Sequence, residues 1–437
     1  MTTLIVRGDL QSETGWSRAT RALLAAIESD FELIVGVDLH FHPQRSQSVF
    51  PFAIVSDDAS RELIKRMQGA VVLHVCMPGE AIRFSDAVNV IWWFWETDRL
   101  PQSDWLERLD AMDLILVPSA WQAGWLKELG LRSPVAVVPW PHRALNAQAE
   151  IKGLPNLDLS RVVSLDELAK ARSINQSFDI RAGYCRSANL RQKKSIILDS
   201  AHTSFTDAFE QHDGYFLAVQ TDAPRKGLPV LISEWRRYRR ESNFNYALII
   251  KFSSLNVDFL PIDKLIKFST IAWLAAQCDA DALSHVYVVI DHLSDATMHR
   301  LYANATAFIV ASYGEGFGGT IVEAAQLGCP CIAPRHTATG QLVADDHPLS
   351  YESLSVIGAL IDQLPIQPIN ASWHPPRPGS IAEGLLYCEK LSTEKRREIS
   401  DRMRSYIFSI LAPERVYEKF RSALSSIERS PPLPRAS

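Results

Sequence analysis

Short apolar segments alternate with longer amphipathic segments along most of the chain. The apolar segments have the length of buried β-strands, and the segments between them have the periodicity of helices. The pattern therefore predicts an α/β architecture with parallel sheets. In the first half we predict helices over residues 17–29 and 120–129, and strands over residues 3–6, 33–37, 70–75, 88–93, 114–117 and 135–138.

The second half repeats this alternation. A last helix is predicted over residues 413–427. Asp295 is expected to cap its helix, because a carboxylate accepts hydrogen bonds from the free amides of a first turn. The other predicted helices cover residues 228–240, 295–304 and 320–327, and the strands cover residues 215–219, 246–251, 286–290, 307–311 and 330–333.

Between about residues 145 and 214 the alternation weakens and the sequence becomes polar. An inserted subdomain, a mobile acceptor loop and a linker all remain open for this segment. We predict an N-terminal domain over residues 1–214 that includes the segment, and a C-terminal domain over residues 215–412. A final helix follows within residues 413–429, and the tail over residues 430–437 is expected to be disordered.

Composition narrows the class of protein. The length of 437 residues suits about two to three domains. Hydrophobic residues make up 47% and charged residues 22% of the chain, which is typical of a globular protein. The formal net charge of -5 gives no basic field that would attract nucleic acid. The 6 cysteines form no C-x-x-C pair, so we expect neither a structural zinc site nor a disulfide framework.

The sequence also allows an expectation about secretion and membrane insertion. The N-terminus enters an apolar strand directly and lacks the charged start and long apolar core of a signal peptide. No stretch of about 18 apolar residues occurs, so no membrane-spanning helix is expected. We expect a cytoplasmic protein, and peripheral contact with the inner face of a membrane remains open.

The most informative segment is a glycine-rich turn between a strand and a helix, at residues 314–319. Its glycines permit a tight turn and close approach to a ligand. The following helix directs free amides and the positive end of its dipole at the turn, which makes an anion site suited to phosphate. Glu315 lies in the turn, and Glu323 lies one helical turn into the helix that follows. Because a carboxylate accepts from two hydroxyls at once, the pair suits a ribose or a hexose.

This segment resembles a known family. Glu315, seven residues and Glu323 match the E-x7-E motif of retaining GT-B glycosyltransferases, especially family 4, the glycosyl transferases group 1. The longer run EGFGGTIVEAAQLGCPCIAP agrees with the pattern of that family. Residues 222–232 resemble its D-x-x-RKG segment, residues 92–101 its W-x-WE-x-x-x-LP segment, and residues 8–15 its first loop, which lines the cleft.

The resemblance implies two Rossmann-like, doubly wound parallel-sheet domains that face a cleft, with the final helix crossing back to the N-terminal domain. It implies transfer of a sugar from a nucleotide-sugar donor, with retention of configuration, to a saccharide, glycolipid or glycoprotein acceptor. No cofactor and no metal are expected. The implied donor-binding residues are Gly15, Arg225, Lys226, Glu315, Gly316, Phe317, Gly318, Gly319, Thr320 and Glu323.

Roles follow from the same resemblance. Lys226 is expected to contact the donor pyrophosphate, Glu315 the hexose hydroxyls and Glu323 the ribose diol. Glu315 and Lys226 are the expected catalytic residues, since Lys226 stabilises the charge that develops on the leaving pyrophosphate. Many family members carry a second basic residue six positions before this lysine, where the present chain has Gln220.

The acceptor-side candidates are His74, Trp95 and Glu96. Each has a structural alternative. His74 lies near the end of the predicted strand over residues 70–75 and also suits a buried histidine. Trp95 belongs to an aromatic cluster that forms either an acceptor wall or part of the core. Glu96 binds an acceptor or pairs with a nearby arginine.

Parts of the sequence also match other function classes. Residues 314–319 also fit G-x-G-x-x-G, but Glu315 would then put a negative charge in the pyrophosphate loop of a dinucleotide-dependent oxidoreductase. A metal-dependent GT-A enzyme needs a D-x-D motif, and Asp279 and Asp281 end a helical pattern. His40 and His42 lack a third metal ligand. A catalytically inactive GT-B binding protein remains an alternative because of Gln220.

Overall fold

A computed structural model describes most of the chain. It describes residues 3–12, 14–39, 50–67, 69–101, 104–142, 162–164, 202–203, 212–221, 223–252, 283–289, 293–358, 368 and 370–428. The predicted tail over residues 430–437 lies outside this range, as do His40, His42, Asp279 and Asp281. No helix in the described part of the chain is long and apolar enough to cross a bilayer.

The first domain is built on a parallel sheet in the order β3-β2-β1-β4-β5-β6-β7. The strands are β1 Thr3–Gly8, β2 Leu33–Asp38, β3 Ala53–Ser56, β4 Val71–Val75, β5 Val88–Trp92, β6 Leu114–Val117 and β7 Val135–Val137. The chain moves outward from β1 in both directions, so the strand order reverses between β1 and β4. The helices are α1 Gly15–Ile27, α2 Asp57–Arg66, α3 Asp104–Asp110 and α4 Ala120–Glu128.

The second sheet runs in the order β15-β14-β13-β10-β11-β12-β8-β9. Its strands are β8 Val162–Ser164, β9 His202–Thr203, β10 Gly214–Gln220, β11 Tyr246–Phe252, β12 Val286–Val289, β13 Ala307–Ile309, β14 Cys331–Pro334 and β15 Ser350–Tyr351. Strands β10 to β15 are parallel, and their order reverses between β10 and β13. A separate antiparallel pair joins β16 Val356–Ile357 to β17 Ser372–Trp373.

Helices cover the second sheet and return the chain to the first domain. They are α5 Leu228–Glu241, α6 Asp295–Asn304, α7 Gly319–Gln326, α8 Ser380–Glu389, α9 Thr393–Leu411 and α10 Pro413–Glu428. The two doubly wound, parallel-sheet α/β domains confirm the predicted fold class. The predicted strands and helices are present in the structure, and their ends lie within a few residues of the predicted ones. The apolar runs located the strands because the strand residues are buried in the two sheets.

The last helix, α10, packs on the first domain. Val416 and Phe420 are buried in the same apolar cluster as Leu23 of α1. The Tyr417 hydroxyl donates to Asp30 Oδ1 at 2.8 Å, beyond the end of α1. The end of the described chain is thus joined to its beginning by apolar burial, which is the main stabilising term in folding.

Two local expectations differ from the structure. The side chain that caps α6 is Ser294, which accepts from the Thr297 amide at 3.2 Å, and Asp295 is the first helical residue. Asp295 still stabilises α6, because its carboxylate lies near the positive end of the helix dipole.

The sequence analysis places residues 145–214 in the first domain, whereas in the structure β8 pairs antiparallel with β12 and β9 pairs with β8. The described strands of this segment therefore extend the second sheet.

Candidate functional site

A turn brings two adjacent cations to the point where the second sheet reverses. The chain leaves β10 at Gln220 and forms a 3-10 turn over Pro224–Lys226. Gly227 then adopts a φ of 68° and begins α5. A methyl group at Gly227 would lie 2.1 Å from the carbonyl oxygen of Ala311, so only glycine allows the turn to sit this close to the chain after β13.

Glu315 meets these cations from the other side of the reversal point. Lys226 Nζ lies 2.5 Å from Glu315 Oε1, and Arg225 Nη1 lies 3.3 Å from Glu315 Oε2. The Ser312 hydroxyl donates to Glu315 Oε1 at 2.5 Å. Both oxygens of the carboxylate are thus held by charged or hydroxyl donors, which fixes its orientation.

The charge on Glu315 is strongly favoured. Burial alone raises the pKa of this carboxyl, but Lys226 and Arg225 outweigh burial and lower the pKa to about 2. The hydrogen bonds from Lys226 and Ser312 act in the same direction. The residue is 7% exposed, so these interactions are little screened by water.

This pKa shift predicts an acid-sensitive contribution to stability. Because the folded pKa lies below the ordinary value of 4.5, the contribution is complete above about pH 4.5 and is lost as the pH falls toward 2. The urea midpoint of wild type should therefore fall more steeply between about pH 4.5 and 2 than that of Glu315→Gln, because the unfolded carboxylate binds a proton in this range while the folded one keeps its charge. Glu398→Gln, in an exposed pair with Lys395, is the matched control and should keep the slope of wild type. Equal slopes for wild type and Glu315→Gln would contradict the assignment.

Thr337 supports the backbone of Glu315. Its hydroxyl accepts from the Glu315 amide at 3.1 Å. Thr337 has a φ of 49°, and a β-branched residue in the left-handed region is strained. Such strain persists only where the surroundings hold it, and it concentrates at functional sites. Thr337 therefore helps to set the position of Glu315.

The helix α7 begins directly after this turn. Its N-cap, Gly318, has a φ of 95° and no side chain to bond the first amides. The free amides and the positive end of the helix dipole are therefore available to an anion. Thr320 is half-buried in the first turn of α7. Phe317 is buried and stacks on His142, with ring centroids 6.1 Å apart.

Glu323 lies one turn into α7 and is separate from the Lys226 cluster. Its Oε2 accepts from the Tyr302 hydroxyl at 3.0 Å, and its Oε1 lies 3.7 Å from Arg18 of the first domain. Burial raises the pKa of Glu323, and Arg18 and the Tyr302 hydroxyl oppose this only in part. Its environment thus differs from that of Glu315, although the two share one motif.

The glycines of the turn contact the first domain. A methyl group at Gly314 would lie 2.5 Å from the carbonyl oxygen of Glu96, and one at Gly316 would lie 3.1 Å from the Trp95 amide. A methyl group at Gly319 would lie 2.9 Å from the Trp140 ring. The absence of side chains at these glycines allows the first domain to pack closely against the turn. The close approach of a ligand to the same turn stays a prediction.

The acceptor-side candidates are largely enclosed. His74 is fully buried in β4 and stacks on Phe84, with ring centroids 6.0 Å apart. Burial lowers its pKa to about 3, so the ring is neutral. Trp95 is fully buried and donates to the carbonyl of Arg99 at 2.7 Å. For both residues, the structure has the buried arrangement that the sequence left open.

Glu96 links the two domains. Its Oε1 lies 2.8 Å from Arg225 Nη2, so the structure contains the arginine pairing rather than a free carboxylate. Asp98, two residues later, accepts from the Ser372 amide and hydroxyl, each at 2.8 Å. The two cations of the cluster thus face two carboxylates, one from each domain.

Two further positions that the sequence analysis named are Gly15 and Gln220. Gly15 is exposed and is the first residue of α1, whose cap is the side chain of Thr14. Gln220 ends β10 and is buried, so this position brings no charge. The described residues contain no group of three or more side chains suited to a metal ion.

Several contacts were not expected from the sequence. Four residues outside the E-x7-E spacing interact with one of the two glutamates: Ser312 and Thr337 with Glu315, and Tyr302 and Arg18 with Glu323. Ser312 lies three residues before Glu315, so it was open to inference from the turn itself. The other residues approach from distant parts of the chain, and the sequence alone carries no indication of them.

Part of the chain is similar in sequence to known glycosyltransferases. Residues 214–352 match the family model described as Glycosyl transferases group 1. The serotype-specific mannosyltransferase WbdA of Escherichia coli is 30% identical over 132 residues, which are 30% of this chain and 14% of that protein. The chain thus matches only a small part of the length of the curated relatives.

Solved structures align over nearly the whole chain. Anabaena HepE, in complex with UDP and glucose, has a TM-score of 0.59 at 11% identity and covers 98% of this chain and 100% of its own. The UDP-forming alpha,alpha-trehalose-phosphate synthase of Burkholderia xenovorans, in complex with glucose-6-phosphate, has a TM-score of 0.58 at 12% identity over 97% of this chain and 100% of its own. At such identities the likeness shows the fold, which is the two-domain GT-B fold.

Proposed function

We propose that the protein is a retaining, nucleotide-sugar-dependent glycosyltransferase of family 4 type, which acts in polysaccharide or glycoconjugate assembly. The observation that supports this proposal most strongly is the contact of Lys226 and Arg225 with Glu315 beside the free amides of α7. In a nucleotide sugar the sugar is bonded directly to the diphosphate. A site for this donor therefore needs cations and a hydroxyl-binding carboxylate side by side, and this cluster supplies both.

Donor binding is proposed to exchange partners within the cluster. In the structure Lys226 and Arg225 are matched by Glu315 and Glu96. A diphosphate brings its own negative charge to the two cations, which releases Glu315 for the sugar hydroxyls. As the glycosidic bond breaks, more charge develops on the diphosphate, and Lys226 and the amides of α7 stabilise that charge.

Similar proteins act on or bind sugars and nucleotides, which supports the proposed classes of donor and acceptor. WbdA is a mannosyltransferase, the HepE complex contains UDP and glucose, and the trehalose-phosphate synthase complex contains glucose-6-phosphate. We infer from them a nucleotide-sugar donor and a saccharide, glycolipid or glycoprotein acceptor. The four described cysteines are free thiols, which suits a reducing compartment, and we propose the cytoplasm as the place of the reaction.

A thermal-shift screen of nucleotide sugars tests the donor assignment. A ligand present at 100 times its Kd stabilises the folded state by roughly 2.7 kcal/mol, which is readily visible as a rise in melting temperature. We expect at least one nucleotide sugar, and the matching nucleoside diphosphate, to raise the melting temperature. If none of the common nucleotide sugars stabilises the protein, the proposal fails.

The same assignment predicts that transfer is independent of metal. Lys226 and the amides of α7 are proposed to carry the diphosphate charge without a bridging cation. EDTA should therefore leave the initial rate of sugar transfer within about twofold of its value without chelator, because no metal-borne stabilisation is removed. A rate that falls with EDTA and returns with Mn²⁺ would instead favour the D-x-D alternative through Asp279 and Asp281.

A further inference from the structure

The first domain places a charged side chain on each of two residues that are proposed to bind the donor. Glu96 Oε1 lies 2.8 Å from Arg225 Nη2, and Arg18 Nη1 lies 3.7 Å from Glu323 Oε1. In the proposed function Arg225 receives the diphosphate and Glu323 receives the ribose. A carboxylate thus lies where a phosphate is expected, and a guanidinium lies where the hydroxyls of a ribose are expected.

The contact between Glu96 and Arg225 is largely enclosed. A methyl group at Gly314 would lie 2.5 Å from the carbonyl oxygen of Glu96, so the backbone of Glu96 is in close contact with the glycine-rich turn. The side chains of Arg225 and Glu96 are 16% and 20% exposed, so water screens the pair only in part. Burial opposes the charge on Arg225, but Glu96 and Glu315 together outweigh burial and raise its pKa.

Both terminal nitrogens of Arg225 face acceptors within the protein. Nη1 donates to the carbonyl of Gly314 at 3.0 Å and lies 3.3 Å from Glu315 Oε2, while Nη2 faces Glu96. The fork of a guanidinium binds a carboxylate and a phosphate through the same pair of nitrogens. A phosphate that takes up this bidentate contact must therefore displace Glu96.

The contact of Arg18 with Glu323 is looser. The side chains of Arg18 and Glu323 are 39% and 30% exposed, and Arg18 Nη2 also lies 3.1 Å from Asp295 Oδ1. Exposed ion pairs contribute little, so the effect of this contact should be the smaller one. Because the Tyr302 hydroxyl donates to Glu323 Oε2, we expect a ribose to use Oε1 and to compete with Arg18.

We propose that two residues of the first domain set the affinity for the donor by competing with it. Glu96 occupies the place of the diphosphate on Arg225. Arg18 occupies the place of the ribose on Glu323. The inference rests on the proposed function, which identifies the donor as the ligand of this site. A bound donor then releases the first domain at two points, so donor binding is coupled to the contact between the domains.

Isothermal titration calorimetry on the full chain tests the proposal with two probes. They are inorganic pyrophosphate, which has no ribose, and whichever of UDP, GDP and ADP binds most tightly. Glu96→Gln should bind both probes about tenfold more tightly than wild type, because a charged internal competitor has been removed. Arg18→Gln should improve the affinity for the nucleoside diphosphate relative to pyrophosphate by about threefold, because only the nucleotide carries a ribose.

Three further variants separate competition from a change in net charge. Asp98→Asn removes a nearby charge and a contact with Ser372 of the second domain but leaves Arg225 paired, so it should bind both probes as wild type does. Glu96→Asp keeps the charge but shortens the side chain by one methylene, so it should also tighten binding. In an Arg225→Gln background, Glu96→Gln should bring no gain, because the two residues act through one contact.

Two results would overturn the role of Glu96. They are pyrophosphate binding that Glu96→Gln leaves unchanged or weakens, and an equal gain in Asp98→Asn. An unchanged preference for the nucleotide in Arg18→Gln would overturn the role of Arg18. Melting temperatures measured on every variant show that the compared proteins are folded. If neither wild type nor Glu96→Gln binds any of the diphosphates, the proposed function fails and this inference fails with it, whereas binding that Glu96→Gln leaves unchanged contradicts the inference alone.

Discussion

Replacement of Lys226 by alanine is expected to lower kcat by about 10²- to 10³-fold, which is the usual cost of removing one preorganised donor from a developing negative charge. Lys226 is largely buried, and its ammonium is positioned 2.5 Å from Glu315, beside the free amides of α7. In the variant, Arg225 and Ser312 still bind the Glu315 carboxylate, so the fold should persist. Steady-state rates with the nucleotide sugar identified in the thermal-shift screen measure the effect.

A matched lysine controls for this substitution. Lys395 also pairs with a glutamate, at 2.7 Å, but it lies half-exposed on α9. Lys395→Ala should leave kcat unchanged, because exposed pairs contribute little. If Lys226→Ala turns over as fast as Lys395→Ala at a saturating donor concentration, Lys226 does not stabilise the leaving diphosphate.

The second large effect is expected at Glu315. Glu315→Gln keeps the shape of the side chain but removes its charge, and the contacts proposed to align the sugar become weaker in the transition state. A hydrogen bond to a charged group is worth roughly 1.5–3 kcal/mol, so kcat should fall by about 10- to 150-fold. A free nucleoside diphosphate lacks the sugar and competes with the Glu315 carboxylate for Lys226 and Arg225, so it should bind this variant at least as well as wild type.

Glu323→Ala is the informative comparison, because it lies in the same motif with different partners. A contact to the ribose is the same in the ground state and the transition state, so its loss should weaken donor binding by about 10- to 150-fold with less effect on kcat. Steady-state kinetics and diphosphate titration on both variants separate the two roles. Lost diphosphate binding in Glu315→Gln, with unchanged donor affinity in Glu323→Ala, would reverse the assignment.

The sequence predicted those features that depend on local pattern. The strands β1 and β10 are apolar runs that must be buried, and α7 follows a glycine-rich turn, so their positions followed from periodicity. The resemblance to the group 1 motif implied that Lys226 and Glu315 both serve the donor, but it did not predict that the two side chains contact each other.

Features that depend on tertiary contact were not predictable. The strained φ of Thr337 is maintained by the surrounding structure, and nothing in the neighbouring sequence indicates it. The pairing of Glu96 with Arg225 joins residues from two domains, and sequence left this carboxylate with two alternatives. Likewise, β8 comes from a polar segment without periodicity, yet it finds a partner in β12.

The central claim is that this cluster transfers a sugar from a nucleotide donor. The most direct measurement is a reaction with nucleotide sugar and a mixture of saccharide acceptors, followed by quantification of nucleoside diphosphate and by NMR of the new anomeric centre. We expect one diphosphate released for each sugar transferred, the donor's anomeric configuration in the product, and loss of both signals in Lys226→Ala. A wild-type protein that binds the nucleotide sugar but releases no diphosphate and forms no glycoside would contradict the account and identify an inactive GT-B binding protein.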